Sequence, residues 1–427
     1  MLMKSVLSNP VWVFCISIFF GYGIVAGFAL WETGSYYYSE LIVLSALSLV
    51  TIALFSRVAW FGEGFRLRRI PLAREHFLIA VFLCFGSVAA YIIATAPGIP
   101  LLAWASGADP ADLVVMREEF LKARTGAEAA LPYINSILAG VFVPYALAEM
   151  FLCKHRWRWF CFIGFLIYCV LFIEKVYFLK AMVPLAVVLI FFSEYRIRKL
   201  LPLFLVSAIL LYGLAVVSGF GEGEDGFLRQ DYFSNAYRPT GALGYLFWRA
   251  IAVPVFTAAD TLSYFDEILG STPLFGASSG TLATLLGSER VYLERDVFAY
   301  QWGQTETGTG SANSVFFVDA YANFGYAGVI FYSAGVALVL RYFAKTRDRS
   351  LYCLWPLLAF GFYVSGFVGN LLSGGFLMII LFSMVVKLVD PDDRRSMREN
   401  SKRSHRLEAP SSGLVAGLGK QSSRGSR

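Results

Sequence analysis

The chain alternates long apolar runs with short basic clusters. Runs at 11–30, 41–60, 77–96, 133–153, 159–174, 181–195, 201–218, 314–342, 351–369 and 371–388 predict ten membrane helices. The longer ones exceed the roughly 18 apolar residues that cross a bilayer core. Between them lie "RLRR" with Arg74, "KHRWR" at 154–158, "RIRK" at 196–199 and "KTRDR" at 345–349. Cytoplasmic loops carry the excess of Lys and Arg. Placing all four clusters inside gives both termini cytoplasmic and leaves the polar segments 97–132 and 219–313 outside.

Two segments bear on that threading. Residues 159–195 are read as a hairpin turning at "EKVYFLK" (174–180), because one long helix would put "KHRWR" and "RIRK" on opposite sides. The run "GALGYLFWRAIAVPVFTAADTL" (241–262) is apolar enough to cross, but it holds Arg249 and Pro254 and lies between polar stretches. It is read as a re-entrant or membrane-surface helix. The first run starts weakly at Lys4 and has no A-x-A cleavage pattern, so it is read as a retained helix. The chain thus divides into a membrane domain, 1–390, and a basic, Ser-rich cytoplasmic tail, 391–427, read as disordered.

Composition agrees: 57% hydrophobic, 17% aromatic and only 15% charged, where soluble domains hold about a quarter charged residues. The fold class is an all-α polytopic membrane protein. The net charge of +6 sits in the inter-helix clusters and gives no reason to expect nucleic acid. The six cysteines lie in or beside apolar runs without a CxxC, which argues against a disulfide framework or a zinc site.

Chemistry concentrates in 219–313. This segment has five arginines (229, 238, 249, 290 and 295), no lysine, and eleven carboxylates. Guanidinium forks bind phosphate or carboxylate bidentately; the alternative is simple depletion of lysine on an outer face. Arg238 sits in "NAYRPTG", where Pro and Gly fix the backbone. Arg249 is embedded in an apolar run, where an arginine faces a partner or a wet cavity. "LLGSERVYLERDVF" gathers Glu289, Arg290, Glu294, Arg295 and Asp296 as either a solvated loop or one wall of a polar cleft. Tyr300 and Trp302 beside Gln and Asn in the following stretch suit a sugar surface. All three histidines (76, 155 and 405) fall on the cytoplasmic side, so an outer-face proton acceptor is a carboxylate. No HExxH, DxD or glycine-rich phosphate loop appears, and no cofactor or metal is expected.

The stretch "TGSANSVFFVDAYANFGYAG" (309–328) places Asp319 and Asn323 at i and i+4 near the start of an apolar helix. Two readings stand open. The pair locks packing between helices, or it lines a membrane cavity, as intramembrane carboxylates commonly do.

Three stretches are similar to the bacterial oligosaccharide repeat-unit polymerases, the O-antigen polymerase (Wzy-type) family. They are "YRPTGALGYLFWRA", "GTGSANSVFFVDAYANFGYAGVIFY", and the hairpin carrying Lys175 and Lys180 before "AMVPLAVVLI". The resemblance implies a GT-C-like, metal-independent, inverting glycosyltransferase. Such an enzyme moves a glycan from undecaprenyl pyrophosphate onto another lipid-linked repeat unit at the outer face of the bacterial inner membrane. The implied partners are those lipid-linked oligosaccharides, membrane lipid and a chain-length regulator. On that expectation Asp319 or Glu289 activates the acceptor and Arg249 serves the leaving pyrophosphate. Arg238, Arg290, Arg295, Asn323 and Trp302 bind substrate. A departure is that the outer segment is not net basic. The alternatives are an O-antigen ligase or another lipid-linked glycosyltransferase and, from a different class, a transporter or a non-catalytic scaffold.

Overall fold

The structure, a computed structural model, describes residues 9–58, 69–108, 110–121, 124–171, 173, 175–192, 248–302 and 312–390, with isolated positions at 205, 208–209, 212–213 and 244. It is mostly helical, as expected of an all-α multi-pass membrane protein. Among the described residues, five helices are long and apolar enough to cross a bilayer: α1 (Pro10–Thr33), α2 (Tyr36–Phe55), α3 (Arg74–Thr95), α4 (Gly126–Leu152), and α10, defined below. Two shorter apolar helices, α5 (Arg158–Leu171) and α6 (Val176–Phe192), pack on each other across a turn in which Ile173 has φ 56°. The hairpin is as expected, but its turn is at Ile173, and the expected turn segment 174–180 lies mostly within α6. The expected span 201–218 and the tail from 391 lie outside the described residues.

Before α10 come three helices: α7 (Val253–Glu267), α8 (Gly280–Leu286) and α9 (Leu293–Trp302). They form a cap with its own small core of Phe265, Leu293, Val297, Ala312 and Ala322. α7 is not among the helices long enough to cross; it packs against α2 and α9.

α10 (Phe316–Lys345) is interrupted. Phe324 (φ −140°, ψ 15°) and Gly325 (φ 62°, ψ −155°) leave helical geometry. The Gly325 pair of angles is open essentially to glycine alone. The bend is sharp enough that a Cβ on Gly328 would collide with the carbonyl oxygen of Ala320. Asp319 and Asn323 lie in the short segment of α10 that precedes the break.

The expected span 351–369 is also corrected. It consists of a turn at Arg349–Tyr352, then α11 (Trp355–Val364), then α12 (Phe367–Leu371), separated by extended Ser365 and Gly366. The run 371–388 yields only the ten-residue α13 (Phe376–Val385) followed by strand β2 (Val386–Val389). β2 pairs in parallel with β1 (Ile70–Ala73), joining Ile70 to Val386 and Ala73 to Val389. Hydropathy alone reads these segments as helices because Val, Leu and Ile serve either geometry.

One apolar core binds the bundle, with Phe14, Ile18 and Tyr22 of α1, Leu41 and Leu44 of α2, and Phe316, Phe317 and Leu340 of α10 all buried. α2 lies along α10 and is tied to it by the buried Ser333–Ser48 hydroxyl pair at 2.9 Å. The Tyr22 hydroxyl donates to the carbonyl of Tyr363 at 2.6 Å, close to where α11 ends. A membrane helix must satisfy its backbone internally. Each of the two breaks, at 324–325 and 365–366, therefore needs replacement partners, and those partners build the site.

Candidate functional site

Asp319 and Asn323 occupy the first segment of α10, with Asn323 fully buried and Asp319 half-buried. The Asn323 Nδ2 donates to the Asp319 carbonyl at 2.7 Å, to Asp319 Oδ1 at 3.2 Å and to Ser278 Oγ at 2.7 Å. Ser278 Oγ in turn donates to Asp319 Oδ1 at 2.7 Å. Asn323 Oδ1 accepts the Gly276 N–H at 2.9 Å. The carbonyls of Ala322 and Asn323, released by the break at Phe324, accept the N–H groups of Leu274 and Phe275, each at 3.0 Å. The turn between α7 and α8 thus caps the broken helix, and both polar side chains of the pair are engaged by it. Part of their role is packing, as the first of the two readings held.

The second oxygen faces the other break. A Cβ on Gly366 would stand 2.8 Å from Asp319 Oδ2, so only glycine lets the carboxylate lie against the 365–366 break. Beyond it Asn370 Nδ2 donates to Ser365 Oγ at 2.9 Å, and Asn370 packs against Gly361 so closely that a side chain there would collide. Further along, Gly374 O and Lys180 Nζ each lie 3.6 Å from a Cβ built on Gly140. Lys180 Nζ sits 4.3 Å above the Tyr177 ring. Asn135, buried between, accepts from the Tyr168 hydroxyl at 2.6 Å and donates to Tyr177 at 3.2 Å. A line of polar groups therefore runs from Asp319 through the α11–α12 break to Lys180. Interrupted helices of this sort are where membrane proteins place binding sites.

The cap carries a second set of acids. Glu267 accepts from Tyr300 at 2.6 Å, from Tyr37 at 2.9 Å and from Ser263 at 3.1 Å. These bonds, Tyr300 first, hold its carboxyl below the usual range, and the same contact raises the Tyr300 hydroxyl. Asp260, on the same face of α7, accepts from Gln301 Nε2 at 2.9 Å, and burial pushes it up to about 7. Neither acid was singled out by sequence reasoning, although Asp260, Tyr264 and Glu267 fall at i, i+4 and i+7 on one helical face.

Of the expected site residues, Asp319 and Asn323 come together. Arg290 and Arg295 both stack on Tyr292, their guanidinium carbons 4.3 and 5.1 Å from the ring centre, and both are exposed. The Arg290 guanidinium also lies against Gly280, 3.1 Å from a Cβ built there. Glu289 is exposed in the loop before α9 and does not join the Asp319 cluster. Arg249 falls in the turn Trp248–Ala252 and Trp302 ends α9; their side chains, and all of Arg238, lie outside the described residues. Sequence reasoning missed Ser278, Gly366 and Asn370. The signal for the last two was "SGFVGNLLSGG", a run of Ser, Gly and Asn inside an apolar stretch.

Compared with protein-family models, with curated proteins and with solved structures, the chain matches none.

Proposed function

We propose that the chain polymerises undecaprenyl-pyrophosphate-linked oligosaccharide repeat units at the periplasmic face of the bacterial inner membrane, with about ten spans and both termini cytoplasmic. The observation that carries this reading is the Asp319 carboxylate, held by Ser278 and Asn323 and set against a second helix break at Gly366. In this reading Asp319 takes the proton from the acceptor hydroxyl. The acceptor oxygen bonds to the anomeric carbon from the face opposite the carrier, and the carbon–oxygen bond to pyrophosphate breaks with inversion. The leaving pyrophosphate gathers negative charge, which fixed guanidinium groups stabilise. Arg238 and Arg249 are proposed for that role, with Arg290 and Arg295 as further substrate ligands.

The test is Asp319→Asn beside Arg249→Ala, each checked for its level in the membrane. Loss of polymer, with single repeat units still reaching the final acceptor, supports the proposal. Full-length polymer from Asp319→Asn overturns the role of the carboxylate. Deleting the gene separates a polymerase from a ligase, since loss of a ligase leaves polymer on the carrier lipid.

A second reading, a transporter, draws on the meeting of two interrupted helices. Solute flux in proteoliposomes without any glycan product would favour it.

A further inference from the structure

The turn between α7 and α8 is fastened to the backbone of Ala322 and Asn323, inside a helix long and apolar enough to cross the membrane. Its level in the bundle is therefore set by the α10 break, not by the free end of the cap. On α10 the break is flanked by outward-facing Phe324, Tyr326 and Ile330, followed by Phe331 at 74% exposure. On a helix that crosses the bilayer, an outward strip of this kind is the face open to acyl chains. The cap continues it. Phe275 is 64% exposed, and Leu285 and Leu286 are 78% and 60% exposed. Leu282 and Leu286 lie within 3.2 and 3.5 Å of a Cβ built on Gly276, so α8 folds directly onto the turn that carries Phe275. Large apolar side chains gathered this way mark an interaction surface. After α8 come Glu289 and Arg290 and, in the first turn of α9, Glu294 and Arg295, and both arginines are braced on Tyr292. Leucines followed by arginines and a tyrosine are the order in which a chain passes from acyl chains to headgroups.

We propose that residues 268–295 form a wedge inserted in the lipid leaflet on the cap side. Phe275, Leu285 and Leu286 lie among acyl chains, and Arg290 and Arg295 hold phospholipid phosphates. The arginine forks fit a phosphate oxygen pair, and stacking on Tyr292 fixes them before lipid arrives. This goes beyond the glycosyl-transfer reading and does not depend on it: it gives Arg290 and Arg295 to phospholipid phosphates in place of the substrate role proposed for them above.

The test places a benzophenone amino acid at Leu285, Phe275 or Tyr300 of the full chain. Each is irradiated in native membranes, and adducts are read by mass spectrometry on monodisperse material. Phospholipid adducts are expected at Leu285 and Phe275, and not at Tyr300 on the polar side of the cap. Cross-links to a second copy or to another protein at Leu285 would overturn the wedge, as would adducts no more frequent than those at Tyr300. Lipid retention tests the arginines. Arg290→Gln with Arg295→Gln should lower phosphatidylglycerol carried through purification by about fivefold per arginine. Unchanged retention overturns the phosphate contact.

Discussion

Two groups of acids, one at each end of the bundle, are satisfied by different means. At the end bearing the β1–β2 pair, acids meet cations. Arg74 Nε pairs with Glu149 at 2.6 Å and its Nη1 with Asp390, while His155 approaches Glu75 at 3.4 Å. Ser350 adds a hydroxyl to Glu149, and Tyr145 adds one to Asp348 at 2.7 Å. At the cap end, Asp319, Glu267 and Asp260 are met by serine, tyrosine and amide donors. A carboxylate paired with a guanidinium makes a charge-assisted contact. One held by hydroxyls and amides has no cation beside it, and its proton affinity follows burial and donor number: burial raises Asp260, and three hydroxyls lower Glu267. The first arrangement serves assembly and the second suits chemistry.

The sharpest way to break this contrast is Arg74→Ala. It leaves Glu149, 13% exposed, without its cation, and should cost about 2–3 kcal/mol, read as a lowered melting temperature in detergent. Next is Gly366→Ala. The new Cβ collides with Asp319 Oδ2, and overpacking of this kind costs about 1–3 kcal/mol. Combining it with Asp319→Ala should recover part of that loss, and a strictly additive result would mean that the two do not touch. Asn323→Ala removes the acceptor of the Gly276 N–H and should cost about 1–2 kcal/mol. It should also loosen the cap, seen as faster proteolysis between α7 and α8.

A pH titration separates the two cap acids. Asp260 keeps its proton in the folded protein up to about 7, against an ordinary aspartate value of 3.8. Across that window the folded state binds more protons than the unfolded chain, so this contribution to stability falls as pH rises. Asp260→Asn should flatten the slope of melting temperature between pH 5 and 8. Glu267 has the opposite sign. Its folded pKa is lowered, so its contribution is present above the unfolded value and fades as pH falls through the folded one. The smallest effect is expected from Tyr300→Phe, which removes the hydroxyl donating to Glu267 at 2.6 Å and should move only that acid limb.

The apolar runs made much of the bundle legible, because side chains in lipid must be apolar over a bilayer's thickness. They located α1 to α6 and α10, with ends displaced by as many as seven residues, as at Gly126 where the expected span began at 133. They failed at 351–369 and 371–388, where Ser365–Gly366 and Val386–Val389 leave helical geometry. Those departures depend on partners remote in sequence, Asp319 for one and β1 for the other, which hydropathy does not register. The pair Asp319–Asn323 was visible as polar groups in an apolar helix. Its third member, Ser278, was not, because a serine in a loop carries no sign of the carboxylate it will face. Asp260 and Glu267 went unnoticed for a related reason: a polar helical face reads as a solvated one until a second helix closes on it.

The β1–β2 pair also sets an order in time. β1 emerges from synthesis before α3, whereas β2 follows α13 at the very end of the membrane domain. The backbone groups of Ile70–Ala73 therefore wait for their partner while almost the whole bundle is inserted. Closure of that strand pair is a late event in assembly, and a nascent chain halted before Val386 would lack it however complete its helices are.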